Sequence, residues 1–116
     1  IDPECRAAVE KAARLLEEMG HHVEEALPVA DTQGMMAAWT KIVACGTALA
    51  IYTAVRKRGF PLVDGEGEGI ARGAIAYARS LSGADYLEAV GEIHAYGRKM
   101  AAFFQQHDIL LTATLA

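Results

Sequence analysis

With 116 residues, the chain is long enough for one modest core, and one domain is its ceiling. Its apolar share of 53% contains only 7% aromatics and much alanine, which favours closely packed helices over a sheet-rich core. A net charge of -4 without any run of Lys or Arg gives no footprint for phosphate backbones or anionic lipid, so nucleic acid and membrane surfaces are excluded as expected partners.

The first helix has a full set of start signals: Asp2 as N-cap, Pro3 at the first helical position and Glu4 in the first turn, with Gly20 just past the end. Cys5, Ala8, Val9, Ala12, Leu15, Leu16 and Met19 recur at three- and four-residue spacing and predict one buried face. His21 to Leu27 reads as a short strand closed by Pro28. Asp31 or Thr32 caps a long second helix that runs to Arg58 and stops at Gly59. That helix is apolar almost all round, from Met35, Met36 and Trp39 to Tyr52 and Val55, so it needs neighbours on several sides. Lys41 leaves only Ile42 to Val55 uninterrupted, short of the roughly 20 residues a bilayer asks for, and no membrane span is expected.

From Phe60 to Gly69 the chain is glycine-rich and acidic. Asp64, Glu66 and Glu68 would repel phosphate, so this stretch reads as a mobile surface connection and not as a phosphate cradle. A short helix over Ile70 to Leu81 follows. Ser82-Gly83-Ala84-Asp85 then offers a capping box that opens the last helix, whose stripe is Tyr86, Val90, Ile93, Gly97, Met100 and Phe104. Gly91 and Gly97 predict a close-approaching neighbour, and the second helix is the natural partner. Ile109-Leu110-Leu111 has the continuous apolar character of a strand buried on both faces. The chain opens without Met and breaks off inside this last apolar phrase, so both ends read as cut. Cys5 and Cys45, distant from one another on apolar stripes, read as buried thiols and not a disulfide, which suits a cytoplasmic location.

No catalytic constellation is expected in this framework. His21, His22, His94 and His107 lack metal-ligand spacing, so neither a metal nor any other cofactor is expected. His107 suits the C-terminal end of its helix dipole. A serine nucleophile needs a base within hydrogen-bond reach and oxyanion donors. Ser80 and Ser82 have one following glycine and no lysine nearby in sequence, with Lys99 remote along the last helix, so Ser82 reads as an N-cap.

Three stretches carry a resemblance. They are Pro3-Glu4-Cys5-Arg6-Ala7-Ala8-Val9 continuing through Ala12-Ala13-Arg14-Leu15-Leu16-Glu17 to Gly20-His21-His22-Val23-Glu24-Glu25, then Gly83-Ala84-Asp85-Tyr86-Leu87-Glu88-Ala89, and finally Phe103-Phe104 with Asp108-Ile109-Leu110-Leu111-Thr112. Together they resemble the C-terminal part of the amidase signature family, in particular its aminohexanoate cyclic-dimer hydrolase-like branch, with Ala113 where the family usually has proline. The resemblance implies a mainly α fold with two short strands, a C-terminal fragment of the α/β amidase signature fold. Residues 1–30 would form a helix-strand unit, 31–107 a helical substrate wall and 108–116 a core strand. It further implies hydrolysis of linear or cyclic amides through a Ser-Ser-Lys acyl-enzyme, with a small-molecule amide as the partner of the full-length parent. The family's glycine-serine signature is absent, so no catalytic residue carries over and the fragment alone is expected to be inactive. Trp39 is the candidate substrate-binding residue, since a lone tryptophan joins a large apolar area to one donor; its other reading is a core anchor of the second helix.

Two further classes stay open. A stand-alone helical interaction module would use the apolar second helix as an oligomerisation surface, and a homo-oligomer is expected in any case from exposed strand edges and apolar faces. A small-ligand carrier would line its cavity with Trp39 and Tyr96.

Overall fold

The computed structural model describes residues 2–63 and 65–113. Ile1, Asp64 of the glycine-rich stretch and residues 114–116 of the expected core strand lie outside the described residues. The fold is mainly α: α1 (Pro3–Glu18), α2 (Thr32–Arg58), α3 (Gly69–Ser80) and α4 (Gly83–Phe103). The chain divides into two compact units, one formed by Ile1–Val29 with Met100–Ala116 and the other by Ala30–Lys99.

The helix limits follow from the caps. Asp2 Oδ1 accepts the Glu4 N–H at 2.8 Å with Pro3 beside it, and Asp31 Oδ1 accepts the Gly34 N–H at 2.9 Å. Each carboxylate satisfies a donor that the first turn leaves without an intrahelical partner. At the far end of α2, Gly59 turns left-handed (φ 83°), and its N–H returns to the Val55 carbonyl at 3.1 Å. Arg56, Lys57 and Arg58 crowd the carbonyl end of that helix, where positive charge is favoured.

In the Ala30–Lys99 unit the close helix pair is α2 with α3. Ala38, Ala44 and Ala48 of α2, Ile75 of α3 and Ala89 of α4 are the buried hydrophobic residues. Small side chains on α2 let a neighbouring axis come near, and Ile75 supplies the one large side chain of that set. The sequence named α4 as the natural partner of α2; the close pair is instead α2 with α3. A Cβ added at Gly91 or Gly97 would meet nothing within 4 Å, so no backbone approaches α4 there. Close packing depends on alanines already turned inward, not on the absence of a side chain facing open space.

The two expected strands, His21 to Leu27 and Ile109 to Leu111, are not formed, and no strand occurs among the described residues. A strand exists only when a neighbour exchanges backbone hydrogen bonds with it. Both segments belong to the first unit and neither finds such a ladder; Leu27 and Val29 are 88% and 92% exposed. The apolar side chains Leu27 and Ile109, which the sequence pattern placed in buried strands, are 88% and 80% exposed. The face of α1 is likewise only half-covered, with Cys5, Val9, Ala12 and Leu16 partly buried and Leu15 and Met19 exposed.

α2 rises about 40 Å over its 27 residues. An 18-residue window within it has a mean hydropathy of 1.4, so by length and composition it is apolar enough to cross a membrane despite Lys41. One side of it is taken by α3. On another side Met36, Trp39 and Val43 stand exposed, and Leu49 is exposed elsewhere on the helix.

Candidate functional site

The serines named from sequence are held in local turns. Ser82 Oγ accepts the Asp85 N–H at 3.1 Å and donates to Asp85 Oδ2 at 2.6 Å, while the Ser82 N–H donates to the same carboxylate oxygen at 2.7 Å. This is the reciprocal capping box at the start of α4, with Asp85 in the place usually held by Glu. The hydrogen bond from the Ser82 hydroxyl holds the Asp85 pKa below its ordinary value; the Ser82 N–H adds to this, and Lys41 on α2 contributes a smaller electrostatic effect. Lys41 is therefore the lysine the fold brings towards this corner, across a sequence gap that spacing alone does not reveal. It acts on Asp85, whereas the Ser82 proton points at a carboxylate already engaged in the cap. Ser80 Oγ donates to the Tyr77 carbonyl at 2.7 Å. Among the described residues, both serine hydroxyls are engaged in these local bonds.

Trp39 lies on α2 and is 50% exposed. One turn before it, Met35 helps to line a hollow of about 160 Å³ between the start of α2 and the second half of α4, with Asp31, Gly34, Glu92, Ala95, Tyr96 and Lys99. Tyr96 lines this hollow, and Trp39 is not among the residues that line it. The hollow is also smaller than the roughly 300–1,000 Å³ of ordinary ligand pockets.

The strongest polar cluster is one that sequence reading took for a mobile connection. The Arg58 guanidinium donates through Nε to the Phe60 carbonyl at 3.0 Å and through one terminal nitrogen to the Pro61 carbonyl at 2.8 Å and Glu66 Oε2 at 2.7 Å. Its other terminal nitrogen pairs with Glu66 Oε1, and the cation sits 4.3 Å from the Phe60 ring centroid. Glu66 Oε2 also accepts the Val63 N–H at 3.0 Å. The hydrogen bond from Arg58, reinforced by the one from Val63, lowers the Glu66 pKa to about 2, and Glu66 in turn raises that of Arg58. The fork ties the chain that leaves α2 back onto the helix end. A basic residue before the C-cap glycine with an acid eight positions on was the available signal.

Among the histidines, His21, His22 and His94 are exposed, and the described residues contain no group of three or more His, Cys, Asp or Glu placed to hold a metal ion. His107 does cap the end of α4 as expected: its Nδ1 lies 3.2 Å from the Phe103 carbonyl. Its Nε2 lies 2.9 Å from Glu24 Oε1, a pairing that sequence reading missed.

No family model matches the chain, and no curated protein matches it in sequence. The solved structure of 6-aminohexanoate cyclic dimer hydrolase is similar to it with a TM-score of 0.82 and 27% sequence identity over 90% of this chain. The same hydrolase complexed with substrate matches equally well. The chain spans only 22% of the length of that hydrolase.

Proposed function

We propose that this chain is the C-terminal segment of an amidase signature hydrolase that cleaves linear or cyclic amide C–N bonds. The observation that carries this reading is the shared backbone arrangement and 27% identity over 90% of the chain with a hydrolase whose named substrate is a cyclic dimer of 6-aminohexanoate. In the proposed enzyme a serine attacks the amide carbonyl, a lysine and a second serine relay its proton to the leaving amine, and water releases the acyl group. Those three groups lie outside this segment, in agreement with the capping duties of Ser80 and Ser82.

This segment's contribution is the wall over the substrate, drawn from residues 31–107. Trp39 is the side chain we assign to it, because its half-exposed indole offers apolar area suited to the methylene runs of an aminohexanoate amide. The surface area supports the status of a segment. The chain exposes 9072 Å², whereas two separate compact bodies of the sizes of its two units would expose only about 7,400 Å². Large apolar side chains left exposed, Leu15, Met19, Leu27 and Trp39 among them, call for cover.

The test has two arms. The isolated chain should not hydrolyse aryl amides or the aminohexanoate cyclic dimer above background, and the reading frame of its gene should contain a glycine-serine signature upstream. In the complete enzyme, Trp39→Ala should alter the preference between bulky and small amides by about 1–3 kcal/mol. Turnover by the isolated chain that disappears in Ser82→Ala, or a frame that begins at Ile1, would overturn the reading. A stand-alone oligomerisation module is the second reading, favoured by the exposed row Met36, Trp39 and Val43. Sedimentation equilibrium of the isolated chain weighs it: a concentration-dependent dimer abolished by Trp39→Glu would support it.

A further inference from the structure

Taking α2 as the oligomerisation surface of the second reading, we propose that its outer face pairs antiparallel with the same face of a second copy of this chain, large side chains of one copy lying against small ones of the other. Met36, Trp39, Val43, Gly46, Ala50 and Thr53 recur at alternating steps of three and four, and all six are exposed. They form one seam of coiled-coil spacing that rises about 26 Å along α2. The buried Ala38, Ala44 and Ala48 lie on the opposite side of the helix.

The seam is uneven. Its first three positions are large and apolar, with Met36 51%, Trp39 50% and Val43 44% exposed, and its last three are small. Packing inside the chain does not account for the small half: a Cβ at Gly46 would meet nothing within 4 Å, although glycine in mid-helix weakens the helix relative to alanine. A parallel pair would set Trp39 on Trp39 and Gly46 on Gly46, crowding one layer and emptying another. In an antiparallel pair about a two-fold axis between positions 44 and 45, Met36 meets Thr53 of the other copy, Trp39 meets Ala50 and Val43 meets Gly46. Each layer then joins one large side chain to one small one, the alternation that fills a helix seam without gaps. Because the axis is two-fold, the same patch serves both copies and the assembly closes at two. The surface suffices for a stable pair. The exposed 9072 Å² exceeds the about 7,400 Å² of compact bodies of these sizes by more than the roughly 800 Å² that each partner gives to a standard interface.

Sedimentation equilibrium across the micromolar range tests the layers. The wild-type chain should dimerise reversibly. Trp39→Ala, which empties a layer, and Ala50→Trp, which sets tryptophan against tryptophan, should each weaken the dimer by about tenfold or more. Unspecific apolar association would instead be strengthened by the added tryptophan. Both positions are exposed, so circular dichroism should show equally helical chains. Should a variant fail to fold, the wild type still answers, because Trp39 emission should shift to the red as dilution separates the copies. Cross-linking tests the register. With Cys5 and Cys45 replaced by serine, a mixture of Met36→Cys and Thr53→Cys chains should form a disulfide on oxidation. Neither variant alone should do so, since like positions stand about 26 Å apart along the pair. A chain that stays monomeric throughout would overturn the proposal together with the oligomerisation reading. A dimer that Ala50→Trp does not weaken, or that cross-links through Met36→Cys alone, would overturn the antiparallel layers and leave that reading standing.

Discussion

Replacing Ile75 with alanine should cost the Ala30–Lys99 unit more than any other single truncation among its described residues. Ile75 is 8% exposed, and the other buried hydrophobic residues of the described chain are all alanines. Ile75→Ala removes three carbons, worth about 0.8 kcal/mol per buried CH₂, or about 2.4 kcal/mol. The cavity contribution should be small, because α3 has solvent on its outer side and can settle inwards; about 2–3 kcal/mol in total is expected. Urea unfolding followed by the fluorescence of Trp39, the one tryptophan and a residue of the same unit, reads the loss directly. With an ordinary slope for a chain of this size the midpoint should fall by about 1–2 M. Leu49→Ala, at an exposed position of α2, is the control and should stay within about 0.5 kcal/mol. If Ile75→Ala moves the midpoint no further than Leu49→Ala does, α3 is not held to α2 by this side chain and the account of the core fails.

Three further outcomes follow from the same geometry. Because the folded Glu66 has its pKa lowered from 4.5 to about 2, its pairing with Arg58 contributes stability above pH 4.5 that disappears as pH falls towards 2. Thermal scans should show a steeper acid loss in the wild type than in Glu66→Gln. A Cβ at Gly34 would lie 2.3 Å from Asp31 Oδ2. Gly34→Ala should therefore be near neutral alone, its helix gain offset by a displaced cap, but should stabilise by about 0.5–1 kcal/mol in an Asp31→Ala background. Gly91→Ala and Gly97→Ala should each raise the melting temperature of the isolated chain, by about 0.5–1 kcal/mol of stability, since both face open space in α4; a loss in either would show a packing neighbour there.

The helix limits were legible because their causes are local. Asp2, Asp31, Gly59 and the Ser82 with Asp85 pair each act within a few residues of the end they define, and each was found performing that role. Partnership was not legible, because it depends on which face turns where. The glycines of α4 suggested a close neighbour, yet the alanines of α2 and the bulk of Ile75 decided the pair. Strand formation at His21 to Leu27 and Ile109 to Leu111 requires a second segment that local pattern cannot supply. The bond between Glu24 and His107 crosses 83 positions, and no spacing rule reaches that far. Arg58 with Glu66 is closer, but glycines and acids between them read as looseness until the guanidinium is seen to collect two carbonyls and a carboxylate.

The alanine side of α2 divides that helix into two kinds of position. At Ala38, which is fully buried, and at Ala44 and Ala48, any larger side chain would push a packed neighbour away, so variation there is penalised at once. Met36, Trp39, Val43 and Leu49 carry no such penalty within the described residues. A randomised library confined to these four outer positions would sample many surfaces on one unchanged scaffold. A chain of this design can thus be diversified for recognition without being refolded each time.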